Sequence, residues 1–179
     1  KLAASFLDEF DARPVATSLP TQPRFDAPRR DVVPYDAGDD ASAKKAYVIT
    51  SWLLGEAIDM ERRFTLSMLA GVLMGTSASP LRKALLESGL GEDTLGGGVG
   101  TSLREANFAV GLRGVDPAKV EEAEAFVFDA LKQIAADGID PKTIEAAINT
   151  VEFQLREYNT GGFPRGLAML FTALGTWIH

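Results

Sequence analysis

Residues Ser79 to Val115, SPLRKALLESGLGEDTLGGGVGTSLREANFAVGLRGV, decide the reading of this chain. Ser79 and Pro80 are a helix start, Ser as N-cap and Pro at the first helical position, where its missing N–H costs nothing. Leu81, Leu85 and Leu86 mark an apolar stripe, and Ser88-Gly89 ends it, with Gly89 suited to a left-handed cap. Gly96, Gly97, Gly98 and Gly100 read as a flexible hairpin connection. Phe108, Val110 and Leu112 then alternate with Asn107, Ala109 and Gly111, the period-two pattern of a strand with one buried face.

Upstream, Leu2, Phe6, Leu7 and Phe10 fall near helical spacing, so a helix of about two to three turns is expected over residues 1–12. Pro14, Pro20, Pro23 and Pro28 remove donors and fix φ, so residues 13–30 read as an extended arm. Residues 15–19 are an edge-strand candidate. The arm is either a linker from a preceding domain or a strap wrapped on its own domain. Residues 31–37 are a short strand candidate broken by Pro34. Residues 47–54, YVITSWLL, are the strongest strand signal, rich in β-branched and aromatic types. Their near-continuous apolarity predicts a central strand covered on both faces, or one whose Trp52 meets a partner. Residues 60–74 read as a helix that is apolar nearly all round from Leu66 onward.

Asp116-Pro117 and Asp140-Pro141 each start a helix. The first carries Val120, Ala123, Val127, Leu131 and Ile134 on one stripe; the second carries Ile144, Ile148, Val151 and Leu155. Residues 159–164, NTGGFP, are a stop, and a last helix follows with Leu167, Leu170, Phe171, Leu174 and Ile178 apolar. Strands and helices are partly segregated, which predicts an α+β fold with a largely antiparallel sheet. The domain boundaries read as 1–30 for the helix and proline-rich arm and 31–179 for a single α+β domain.

Several chemistries are excluded outright. There is no cysteine, so no disulfide, thiolate site or cysteine nucleophile. The one histidine is the last residue, His179, so a histidine-based zinc site cannot be assembled within this sequence. Eighteen basic against 25 acidic residues give a net charge of −7, which argues against nucleic acid as a partner. No apolar run is long enough to span a bilayer, and a membrane partner is not expected. The glycine cluster lacks the Gly-Lys-Ser/Thr ending of a phosphate loop. Glu121, Glu122 and Glu124 sit where a helix N-terminus favours negative charge, and Glu56, Asp59 and Glu61 flank a turn. Glu145 and Glu152 share a helix face without the further oxygens a hard cation needs. Arg82, Lys83, Arg104 and Arg165 read as solvated or ion-paired cations, and Trp52 and Trp177 as packing residues.

Three blocks, SPLRKALLESGLG, REANFAVGLRGV and the stretch from Asp140 to His179, together with FLDEF and TQPRFDAPRR nearer the start, resemble the presequence-protease branch of the insulinase-like (pitrilysin, inverzincin) zinc metallopeptidases. Nearly the whole chain is covered. The resemblance is to the second, non-catalytic domain of the N-terminal half. It implies a two-layer sandwich, about six strands with helices on one face, that helps to enclose a peptide chamber. It implies that zinc belongs to a preceding domain through an H-x-x-E-H motif absent here, so no catalytic, cofactor-binding or metal residue is assigned. The implied partners are the catalytic zinc domain, the C-terminal half of the same chain and a peptide substrate. The implied compartment is the cytoplasm in a bacterium, or the mitochondrial matrix or a plastid in a eukaryote. By the same analogy Gly96, Gly97, Gly98, Arg104 and Asn107 are expected to line the chamber. The alternative is an inactive interaction or scaffold subunit of a related complex.

Overall fold

A computed structural model describes residues 6–11, 18–36 and 46–177. Strand β1, Ala46–Glu56, leads into helices α1, Met60–Met74, and α2, Pro80–Glu87. Strands β2, Asp93–Gly100, and β3, Glu105–Val115, follow. A single 3-10 turn then opens α3, Val120–Asp137, before α4, Pro141–Glu157, and α5, Arg165–Trp177. The class is α+β, with an antiparallel sheet in the order β1-β3-β2.

The sheet has three strands among the described residues, not six. The higher number came from the resemblance, not from segments in this chain. After Val115 every apolar pattern has helical spacing, so nothing there can extend the ladder. The expected central strand is also corrected: β3 is central and β1 is an edge strand. Trp52 is half-buried on the helix side, stacked 5.9 Å from Phe108 and edge-on 5.7 Å from Phe128. The glycines expected in a loop lie in β2, and the turn is the short segment from Thr101 to Arg104. Residues 31–36 form no strand, consistent with the donor lost at Pro34. Of the expected N-terminal helix, Phe6 and Leu7 are helical and a turn follows; the rest lies outside the described residues, as do residues 15–17 of the edge-strand candidate.

At the two Asp-Pro starts the expected caps form: Asp116 and Asp140 accept the backbone N–H of Ala118 and Lys142 at 2.9 and 3.1 Å. Asp59, read as flanking a turn, also caps α1 by accepting the Arg62 N–H at 3.0 Å. Ser79 has N-cap backbone geometry but makes no capping bond; its Oγ instead accepts from the Thr76 N–H at 3.1 Å, closing the turn between α1 and α2. Gly89 takes the left-handed conformation expected, φ 67°.

The core lies between one face of the sheet and the helices. Leu81 and Leu85 of α2, Val110, Leu112 and Val115 of β3, and Val127 of α3 are fully buried in it. Val48 joins from β1 and Leu73 and Met74 from α1. Helices therefore cover one face, as a two-layer arrangement requires, and the opposite face carries none of this core.

Candidate functional site

Directly opposed residues in an antiparallel ladder share a face, so the register assigns every side chain of the sheet. Val48, Trp52, Phe108, Val110 and Leu112 project to the helices. The opposite face therefore holds Tyr47, Ile49, Ser51 and Leu53 of β1 beside Arg113, Gly111, Ala109 and Asn107 of β3. From β2 it receives Asp93, Leu95, Gly98 and Gly100. Tyr47, Ile49 and Leu53 are exposed. The middle of this face is a track of small residues, Ser51, Ala109, Gly111, Gly98 and Gly100, bordered by Ile49 and Leu53 on one side and Leu95 on the other.

Ion pairs stand at both ends. Arg113 donates to Asp93 at 2.7 Å. The Thr94 backbone N–H, 2.8 Å from Asp93, and then the Arg113 guanidinium hold the Asp93 carboxyl below its ordinary value. At the other end Arg104 faces Glu56 at 3.6 Å, while its carbonyl accepts the Ala57 N–H at 2.8 Å. Between these ends the face offers hydroxyls, one amide and apolar groups. Among the described residues it brings together no acid–base pair and no nucleophile beside a base. No group of three or more metal-ligating side chains occurs among the described residues.

The five residues expected to line a chamber are distributed unequally. Gly98 and Asn107 are on the helix-free face, and Arg104 is at its rim. A Cβ on Gly100 would strike Asn107 Oδ1, so the Asn107 amide lies over Gly100. Gly96 and Gly97 do something else. The register slips between Gly96 and Gly98, leaving Gly97 as the extra residue of a β-bulge. Both take positive φ, 69° and 98°. A Cβ on Gly97 would come within 2.8 Å of Met74 Cβ, so this glycine admits α1 to the sheet.

The sequence reading singled out neither the walls of the face nor Glu105. Ile49 and Leu53 were hidden because a strand apolar on both sides gives no alternation. Glu105 is buried at the start of β3. Gln22 N–H donates to its Oε2 at 2.5 Å, and Arg24 approaches Oε1 at 3.1 Å. Glu124 receives Arg30 Nε on both oxygens at 3.0 Å. The carboxylates Glu121 and Glu122 open α3, and Glu152 pairs with Arg156. Trp177 is exposed, and His179 lies outside the described residues.

Among the described residues the fold is an α+β layer with one sheet face free of helices. The chain belongs to the Peptidase M16 inactive domain family, whose model matches residues 1–151. It is 40% identical over its whole length to presequence protease 1, chloroplastic/mitochondrial, of Arabidopsis thaliana. It is 32% identical to the mitochondrial presequence protease of Mus musculus and 30% identical to the HypA protein of Clostridium perfringens, each over 97% of the chain. It spans only 17% of the length of the Arabidopsis and mouse relatives and 18% of the Clostridium one. The chain is thus a domain of the inactive, non-catalytic kind that this family model describes. No described helix is long and apolar enough to cross a membrane.

Proposed function

We propose that this domain forms part of the wall of a peptide chamber in a zinc metallopeptidase that degrades short, unstructured peptides. The observation carrying this reading is the helix-free face, a small-residue track between apolar borders. Such a surface accepts an extended chain without selecting particular side chains, as degradation of varied peptides requires. Gly98, Asn107 and the Arg104 rim supply contact, while Gly96 and Gly97 hold the strand and helix that shape the face.

Zinc would be held by an H-x-x-E-H motif of a preceding domain of the same polypeptide, where it would supply the activation of water. None of that chemistry is carried by residues here. The partners are that catalytic domain and the remainder of the chain, for which the exposed apolar sides of α4 and α5 provide a seat. The location follows the relatives: a mitochondrial or plastid compartment in a eukaryote, the cytoplasm in a bacterium. A free-standing scaffold subunit is less favoured, because the relatives carry this segment inside chains several times longer.

Replacing Ala109 by Arg in the full-length polypeptide tests the reading. Ala109 is on the bare face, so the substitution crowds the track without entering the core. The expected result is a raised KM for long unstructured peptides, by roughly tenfold or the equivalent of about 1.4 kcal/mol, with zinc content unchanged. Unchanged peptide kinetics in a folded variant would contradict it.

A further inference from the structure

The proline-rich segment has a distinctive mode of attachment. Every residue from 18 to 36 is exposed, and Leu19, Val32 and Val33 are 66%, 95% and 79% accessible. Burial of apolar surface therefore contributes little to holding it. Its anchors are polar or at the rim. Gln22 N–H and the Arg24 guanidinium converge on Glu105. Arg30 grips Glu124 of α3 through Nε at 3.0 Å and a terminal nitrogen at 2.8 Å. Tyr35 meets Tyr47 edge-on at 5.5 Å.

The register gives these anchors a direction. Glu105 pairs with Glu56 at one end of β1, and Tyr47 pairs with Arg113 at the other. From Glu105 to Arg113 the strand covers about 26 Å at roughly 3.3 Å per residue. The eleven steps from Arg24 to Tyr35 reach at most about 36–40 Å. The segment therefore crosses the length of the sheet using about two-thirds of its maximum reach, an open path that its prolines favour.

We propose that residues 18–35 are a latched strap, with Glu105 as the latch. The Glu105 side chain is only 7% exposed, and both of its partners among the described residues come from the strap, 83 positions away in the case of Gln22. A backbone N–H and a guanidinium on one desolvated carboxylate are charge-assisted contacts, stronger than neutral ones. The latch fixes the point at which the polypeptide enters the domain, beside the Arg104 rim. Arg30 and Glu124 form a second, more exposed clasp that steers the middle of the strap. One anchor, Tyr35 on Tyr47, sits at the end of the helix-free face, and the test below does not depend on peptide binding there.

Amide hydrogen exchange by NMR on the 179-residue chain tests it. In the unmodified chain the Gln22 amide is expected to exchange about 10- to 100-fold more slowly than in an unstructured peptide, the range set by a hydrogen bond to a charged group. Glu105→Ala should abolish that protection while the Val110 and Leu112 amides stay slow. Arg24→Ala, which leaves the buried carboxylate in place, should reduce it severalfold. Arg30→Ala should leave Gln22 protected. Free-peptide exchange at Gln22 in the unmodified chain would overturn the latch, as would unchanged protection in Glu105→Ala. If Glu105→Ala also loses protection at Val110 and Leu112, Arg24→Ala decides: an unchanged Gln22 rate there refutes the proposal.

Discussion

Asp93 shows how a single residue anchors one end of the bare face. Its carboxylate is favoured in the folded chain by the Thr94 N–H and by Arg113, so its folded value lies below its unfolded one. The contribution is therefore present above the unfolded value, near 3.8, and is lost as pH falls through the lower, folded one. Asp93→Ala should accordingly lower stability to urea at pH 7, and the gap to the unmodified chain should close in strong acid. A gap independent of pH would contradict this account. Gly111 controls the approach of β1 to β3 in another way: a Cβ there would run into the Val48 carbonyl oxygen. Neither role was legible in the sequence. The Asp93–Arg113 pair joins residues 20 apart through the ladder, and the close approach at Gly111 leaves no pattern in neighbouring residues.

At the scale of elements, legibility tracked local chemistry. The helix starts at Asp116 and Asp140 were readable because a cap is made by residues two apart. The middle of β3, Asn107 to Leu112, was readable from its alternation, while its ends at Glu105 and Val115 were not. The β2 glycines were not, because a run without side chains has no period, and only pairing with β3 makes it a strand. The position of β1 was misread for a related reason: apolarity on both faces resembles a central strand, whereas here it marks an edge strand with its outer face uncovered. Of the α2 stripe, Leu81 and Leu85 are core as read, whereas Leu86 is exposed. Leu85 is fully buried, so Leu85→Ala should cost about 2–5 kcal/mol in urea denaturation. A loss under about 1 kcal/mol would mean that α2 is not part of the cooperative core.

For the whole molecule, stability and exposure are unevenly distributed. The core is concentrated in the sheet, α1, α2 and α3, while no described residue of α4 or α5 is buried. Phe153, Leu155, Met169 and Phe171 are more than half exposed, and Phe163 stacks on Phe171 at 6.1 Å. That distribution suits a domain occupying 17% of the length of its presequence-protease relatives. What composition made legible was narrow: with no cysteine in the sequence, a thiolate site or cysteine nucleophile is excluded. The bare face was not legible, because it is defined by which strands pair and in what register. Photo-crosslinking tests the central claim most directly. In the full-length polypeptide, an unstructured peptide bearing a photoreactive benzoyl group should label Ile49, Leu53, Asn107 or Ala109 when the products are mapped by mass spectrometry. Labelling confined to other domains, with none on this face, would contradict it.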